Sequence, residues 1–200
     1  MSYGKFGSVS EVARIFDIEV SANKPFVDKL SFEAPAADFS RIAEKLSDDL
    51  NFINEITVCE RIISPILELL SGNYLSLRVW SHVPYNVDQE KGLIGEPDYL
   101  IAPRTKYGDM GVPPLCIVEA KKEDFEAGWT QALAEMVAAS LQGGKNCLSV
   151  VTTGKTWEFG KLEHGVFIRD PRRFSATVHL QEVFDVLNWM FSLAAAHLET

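Results

Sequence analysis

Long hydrophobic runs are missing from this chain. No apolar stretch approaches the ~18–20 residues that a membrane-spanning helix needs, so no segment reads as one. The amino terminus, Met1-Ser2-Tyr3-Gly4-Lys5-Phe6, lacks the apolar core of a secretory leader. Cysteine is scarce. Cys59, Cys116 and Cys147 are too widely spaced for a zinc pattern and too few for a disulfide framework, and they read as reduced packing residues in a cytoplasmic protein. A glycine-rich phosphate loop is absent as well, because Gly154-Lys155-Thr156 has no glycine at the upstream spacing and reads as a turn. Basic charge is in short supply: 19 Lys and Arg face 28 Asp and Glu, for a net charge of −9. Tight non-specific binding to nucleic acid rests on phosphate neutralisation, so a lone monomer is poorly equipped for it. A homodimer or a partner subunit would supply the missing surface. Part of the acidic excess also fits a carboxylate site that awaits metal.

What is present is ordinary for a globular chain: 46% hydrophobic and 24% charged residues. Two hundred residues suit one domain, 1–200, with a sizeable core and a poorly patterned segment over 1–35. The informative stretch is Gly95 to Gln131. Pro97-Asp98 opens a strand-like run, Tyr99-Leu100-Ile101. After a segment rich in Pro and Gly comes Leu115-Cys116-Ile117-Val118-Glu119-Ala120-Lys121, an apolar strand ending in charge. Side chains alternate along a strand, so Glu119 and Lys121 share one face. Unpaired charge on a buried strand is costly and demands an explanation. If the two strands pair as a hairpin, Asp98 stands beside Glu119. Two carboxylates supply the hard oxygen ligands that Mg²⁺ takes, and a lysine can orient or deprotonate a water and offset developing negative charge. The plain alternative is a solvated Glu119–Lys121 ion pair of little worth.

The pattern Pro97-Asp98 followed, 21 positions from that aspartate, by Glu119-Ala120-Lys121 resembles the PD-(D/E)XK nuclease superfamily. The likeness runs over about 54–159 and includes the order strand, loop, strand, then a helix carrying Gln131. The phrase Thr152-Thr153-Gly154 with Trp157 and Phe159 is also similar. The resemblance implies an α/β, restriction-endonuclease-like fold with a mixed central β-sheet flanked by helices. It implies metal-dependent endonucleolytic hydrolysis of DNA, with Asp98 and Glu119 on Mg²⁺ (or Mn²⁺), Lys121 positioning the attacking water, and Gln131 supporting the site. A further acid on a helix before the hairpin is common in that superfamily. Glu55 fits it because, at 100° per residue, it falls inside the apolar arc of a helix over 54–70, with Glu60 just outside as second choice. The alternatives are that Glu55 answers only the helix dipole and that Gln131 is a surface residue. A nuclease-fold binding or assembly module, with weak or no catalysis, is the competing function.

The remaining elements are read from periodicity. Residues 12–20 fit a strand or a short helix. Asp38 caps a helix carrying Phe39, Ile42, Ala43, Leu46 and Leu50. Pro65 kinks the 54–70 helix or leaves a turn unpaired. Residues 75–83 form a strand whose lone His82 reads as surface or core, although it could approach the site. A helix spans 124–142, with Gln131, Glu135 and Gln142 on a polar stripe. Strand 147–153 follows, parallel to the Glu119 strand, then a hairpin over 156–169. Arg169, Arg172 and Arg173, the densest basic cluster, are candidates for phosphate contact. A last helix over 181–197 is apolar round much of its circumference, which suits burial or a dimer contact.

Overall fold

The computed structural model describes residues 3–114, 116–121 and 124–198. Leu115, at the start of its strand, lies outside the described residues. The ambiguous segment 12–20 resolves into both alternatives. Helix α1 (Val9–Phe16) starts at Ser8, whose Oγ accepts the Glu11 N–H at 3.1 Å, and ends at Asp17 in the left-handed region; β1 (Glu19–Val20) follows. Helix α2 (Ala36–Leu46) begins earlier than expected, with Pro35 at its cap, so Asp38 lies in the first turn. It also stops short of Leu50. Asp48 caps a separate 3-10 turn (Asp49–Phe52) that leaves Leu50 72% exposed.

The 54–70 helix is one rod in three pieces: α3 (Glu55–Val58), a π-turn (Cys59–Ile63) and α4 (Ser64–Ser71). Pro65 has no N–H to bond back to Arg61. The ladder slips ahead of it: Ser64 N–H donates to the Cys59 carbonyl, five residues back. The extra residue of a π-turn rotates the two halves of the rod against each other, so a constant 100° step fails across it. Downstream, Ile62, Ile63, Ile66 and Leu67 are buried as expected; upstream, Ile56 and Glu55 are exposed, which corrects the expectation of a buried Glu55.

Strand β2 (Arg78–Ser81) is shorter than 75–83 because Leu75 sits in a turn and His82, at φ 49°, ends the strand. Then come β3 (Tyr99–Ala102), β4 (Cys116–Ala120), α5 (Phe125–Leu141), β5 (Asn146–Thr152), β6 (Thr156–Glu163), β7 (Val166–Arg169), β8 (Phe174–Ser175) and α6 (Ala176–Ala196). Seven strands run in the order β1-β7-β6-β5-β4-β3-β2, and β8 pairs with β6. β3 and β4 are antiparallel with Tyr99 opposite Val118; β4 and β5 are parallel, linked through α5. The expectation of a mixed central sheet flanked by helices is met.

One face of the sheet packs Tyr99, Val118 and Ala120 against the α3–α4 rod, α2 and α6. The other packs Leu100, Ile117 and Val151 against α1 and α5. The stripe expected on α5 is not a water-facing one: Glu135 is fully buried, and only Gln131 and Gln142 reach the edge. Helix α6 starts at Ala176, ahead of 181, and breaks at His179. Its apolar circumference is covered within the chain, with Phe184 stacked on Phe32 and Asn188 Nδ2 donating to the carbonyls of Leu30 and Ser31.

Candidate active site

The β3–β4 register continued by one residue sets Asp98 opposite Glu119. The Ala120 N–H donates to Asp98 Oδ2 at 2.8 Å, which fixes that carboxylate at the sheet end. Glu119 is completely buried, and its polar neighbours are Lys121 and the acid Glu135, whose side chain hydrogen-bonds to it. The Lys121 Nζ stands 3.5 Å from Glu119 Oε2 and keeps its main chain on the sheet through a 2.8 Å bond to the Thr152 carbonyl. Asp98, Glu119 and Lys121 are therefore brought to one point.

The electrostatics are those of a site short of positive charge. Burial pushes Glu119 up to about 8, and the Asp98 charge adds to the rise against the opposing effects of Glu135 and Lys121. Burial also raises Asp98, although the Ala120 N–H, Lys121 and His82 work the other way. Burial acts against the charge on Lys121, but Glu119, Asp98 and Glu55 outweigh it and raise the lysine above its ordinary value. Lys121 is thus a cation here, suited to orienting a water or holding an anion rather than to removing a proton.

Two acids need correction or addition. Glu55 is exposed at the first turn of α3, where Asn54 caps the helix, yet it lines the same cleft as Lys121 and Gln131. That cleft, of about 500 Å³, has Tyr3, Phe6 and Ser8 as its far wall. Glu60, the second choice, is exposed on the π-turn, and its charge is felt at Tyr99. Gln131 Nε2 donates to Glu135 Oε1 at 3.3 Å, and Glu135 in turn lies against Glu119. Burial and the Glu119 charge raise Glu135 well above the carboxylate range, so it is a neutral acid beneath the site. Sequence reasoning missed that role. The available signal was the run of Ala132-Leu133-Ala134 and Met136-Val137-Ala138-Ala139 around it, which leaves a lone acid no route to water.

The three arginines are all engaged. Arg169 Nη1 meets Glu126 Oε1 and Arg173 Nε meets Glu158 Oε1, each at 2.7 Å. Arg172 grips Asp170, through Nε at 2.8 Å and Nη2 at 2.6 Å. Arg169 and Arg173 also lie against Trp129 and Phe125 at the start of α5. Only Glu126 among these partners lines the cleft. His82, at the end of β2, places Nε2 3.6 Å from Asp98 Oδ1. Among the described residues no helix is long and apolar enough to cross a membrane.

No protein-family model matches the chain. It is similar to the Crinkler effector protein 5 of Phytophthora infestans, with 36% identity over 63 residues, covering 31% of this chain and 18% of that protein. In structure it is similar to a chain of a DrdV–DNA complex solved by cryo-EM, at 13% identity and a TM-score of 0.46, over 80% of this chain and 14% of that one. The chain spans less than a fifth of the length of either protein.

Proposed function

We propose that the chain is a divalent-metal-dependent nuclease of the PD-(D/E)XK type, hydrolysing DNA phosphodiester bonds. The observation that carries this reading is the cluster at Glu119: a fully buried carboxylate beside two further acids, Asp98 and Glu135, with the charged Lys121 3.5 Å away. Burying three acids around one lysine costs stability unless a further cation completes them. The donor set is hard oxygen, which fits Mg²⁺ or Mn²⁺.

Asp98 and Glu119 would hold the ion, with Asp98 Oδ2 fixed by the Ala120 N–H so that Oδ1 is left for a ligand. When bound, such an ion supplies Lewis-acid charge for the scissile phosphate and acidifies a coordinated water. Lys121 orients the attacking water and balances charge that develops on the phosphate oxygens. Gln131 positions Glu135 and, through it, Glu119. Glu55 lines the same cleft as Lys121 and its charge acts on that lysine, so it would adjust the metal. Phosphates of the DNA strand would reach Arg169 and Arg173 by displacing Glu126 and Glu158. Arg172 is committed to Asp170 and holds structure rather than substrate.

A second reading is a binding or assembly module built on the same fold. The pairing of all three arginines and the net charge of −9 favour it. Cleavage of single-stranded, duplex and branched DNA in Mg²⁺ or Mn²⁺ separates the two. The nuclease reading expects metal-dependent cutting that falls about 10²-fold or more in Lys121→Ala. Wild-type protein that binds DNA or a protein partner but cuts nothing would move the assignment to the module.

A further inference from the structure

Asp98 stands between two sets of donors. On the α5 side lies Glu119, and on the other lie two residues that the hydrolytic reading does not use, Cys59 and His82. One ligand atom from each of Cys59, His82 and Asp98 lies within 4.8 Å of the others. They come from three separate segments, two of them shaped locally in an uncommon way. Cys59 opens the π-turn, a helical irregularity that recurs at functional sites. His82 has φ 49°, a left-handed conformation uncommon outside glycine, though histidine adopts it more readily than most residues. Its Nδ1 lies 2.7 Å from Ser81 Oγ. Nε2 faces Asp98 Oδ1, 3.6 Å away, and when a cation lies between them the Ser81 hydroxyl can accept the Nδ1 proton and free the Nε2 lone pair for the ion. An oriented imidazole whose other nitrogen is fixed is the usual arrangement of a metal-ligating histidine. Tyr99 packs edge-on to His82 at 5.9 Å and is hydrogen-bonded to the Cys59 side chain, so one buried residue braces both donors.

We infer that Cys59, His82 and Asp98 form a second metal site, selective for a borderline-soft divalent ion of the Zn²⁺ or Co²⁺ class. One sulfur, one imidazole nitrogen and one carboxylate oxygen suit such ions and disfavour Mg²⁺ and Ca²⁺, which take oxygen alone. Three protein ligands leave a fourth position open on the side where His82 is half exposed. Burial first, and then the Asp98 charge, keeps the free thiol protonated, so the ion displaces a proton to solvent on binding. Asp98 is shared with the proposed Mg²⁺ site, which couples the two: an ion at one withdraws the common carboxylate from the other. The site stands on its own geometry and does not require that the chain cut DNA.

Cobalt tests it directly. Titration of the reduced, metal-free protein with Co²⁺ is expected to produce a near-ultraviolet thiolate-to-cobalt band together with the visible bands of tetrahedral cobalt. Zn²⁺ should abolish both, and in Glu119→Gln, where the proposed Mg²⁺ site no longer competes for Asp98, a large excess of Mg²⁺ should not. Cys59→Ser should lose the thiolate band. His82→Ala, an exposed change that leaves the core intact, should weaken cobalt binding about ten-fold or more. Glu119→Gln should keep the band. No band in folded wild-type protein, a band that survives in Cys59→Ser, or unchanged affinity in His82→Ala would each overturn the inference. A band in protein that cuts no DNA upholds this site while the nuclease reading fails, and Mg²⁺-dependent cutting without a band does the reverse.

Discussion

Glu119 is an acid where solvent does not reach, and that fact makes its chemistry measurable. Its folded value of about 8 lies above the ordinary 4.5, so the neutral form is favoured in the fold. The associated stability is intact below about pH 4.5 and is lost as pH rises towards 8. Glu119→Gln removes that loss. Metal-free Glu119→Gln protein should therefore melt above the wild type at pH 8, with the gap closing by pH 5, as read by thermal denaturation. A metal ion replaces the missing counter-charge and releases protons, so Mg²⁺ or Mn²⁺ should raise the wild-type Tm more at pH 8 than at pH 6 and leave Glu119→Gln unmoved. The juxtaposition of Asp98 with Glu119 was legible because it depends only on strand alternation and one hairpin. Glu135 was not, since an acid four residues after Gln131 looks water-facing until β4 and β5 cover one side of α5 and the segment from Tyr3 through α1 covers the other. Cys59 and His82 were also hidden, because no spacing rule links residues 59, 82 and 98, and a π-turn and a left-handed histidine bring them together.

At the scale of elements, the site depends on how closely α5 lies on β4 and β5. Gly128 allows that approach: a Cβ there would stand 2.5 Å from Val151 Cγ1 and 3.0 Å from Lys121 Cγ. The stem of Lys121 is thus packed against the helix that carries Gln131 and Glu135. Gly128→Ala forces α5 away or displaces the lysine, at a cost of about 1–3 kcal/mol in denaturant unfolding. Under the nuclease reading, cleavage should fall while Mn²⁺ affinity, which rests on Asp98 and Glu119, stays near the wild-type value. Unchanged cleavage would mean that Lys121 is free to relocate. Helix positions were legible from periodicity wherever the backbone stayed regular. The slip ahead of Pro65 is where a constant 100° step misplaced Glu55, and the cleft wall from Tyr3 to Val9 could not be read at all, because it forms only when residues 3–9 meet α5.

Across the whole molecule, Asp170 ties the segment before α2 to the corner between β7 and β8. Its side chain is fully buried and accepts N–H bonds from Phe26, Val27 and Arg172, besides the two from the Arg172 guanidinium. Burial alone would raise this acid, but Arg172 and the main-chain donors outweigh it and hold it far below the carboxylate range. With a depressed folded value, its contribution is present above the unfolded value of about 3.9 and fades as pH falls further. Asp170→Asn should cost about 2–3 kcal/mol in urea unfolding at pH 7, less than a fully buried pair because Arg172 is 44% exposed, and should flatten the acid limb of the stability curve. Asp170 weakens the fold below about pH 4, and Glu119 with Glu135 weakens it towards pH 8. Metal-free protein should therefore be most stable in mildly acidic buffer, and divalent metal should move that optimum upward. A hard divalent cation that completes Asp98 and Glu119 beside Lys121 would be seen by anomalous diffraction from a Mn²⁺-soaked crystal. One strong manganese peak is expected in contact with Asp98 Oδ1 and a Glu119 oxygen, absent from Glu119→Gln crystals. Well-ordered, manganese-free carboxylates at full occupancy of the soak, or a peak that ignores Glu119, would contradict it.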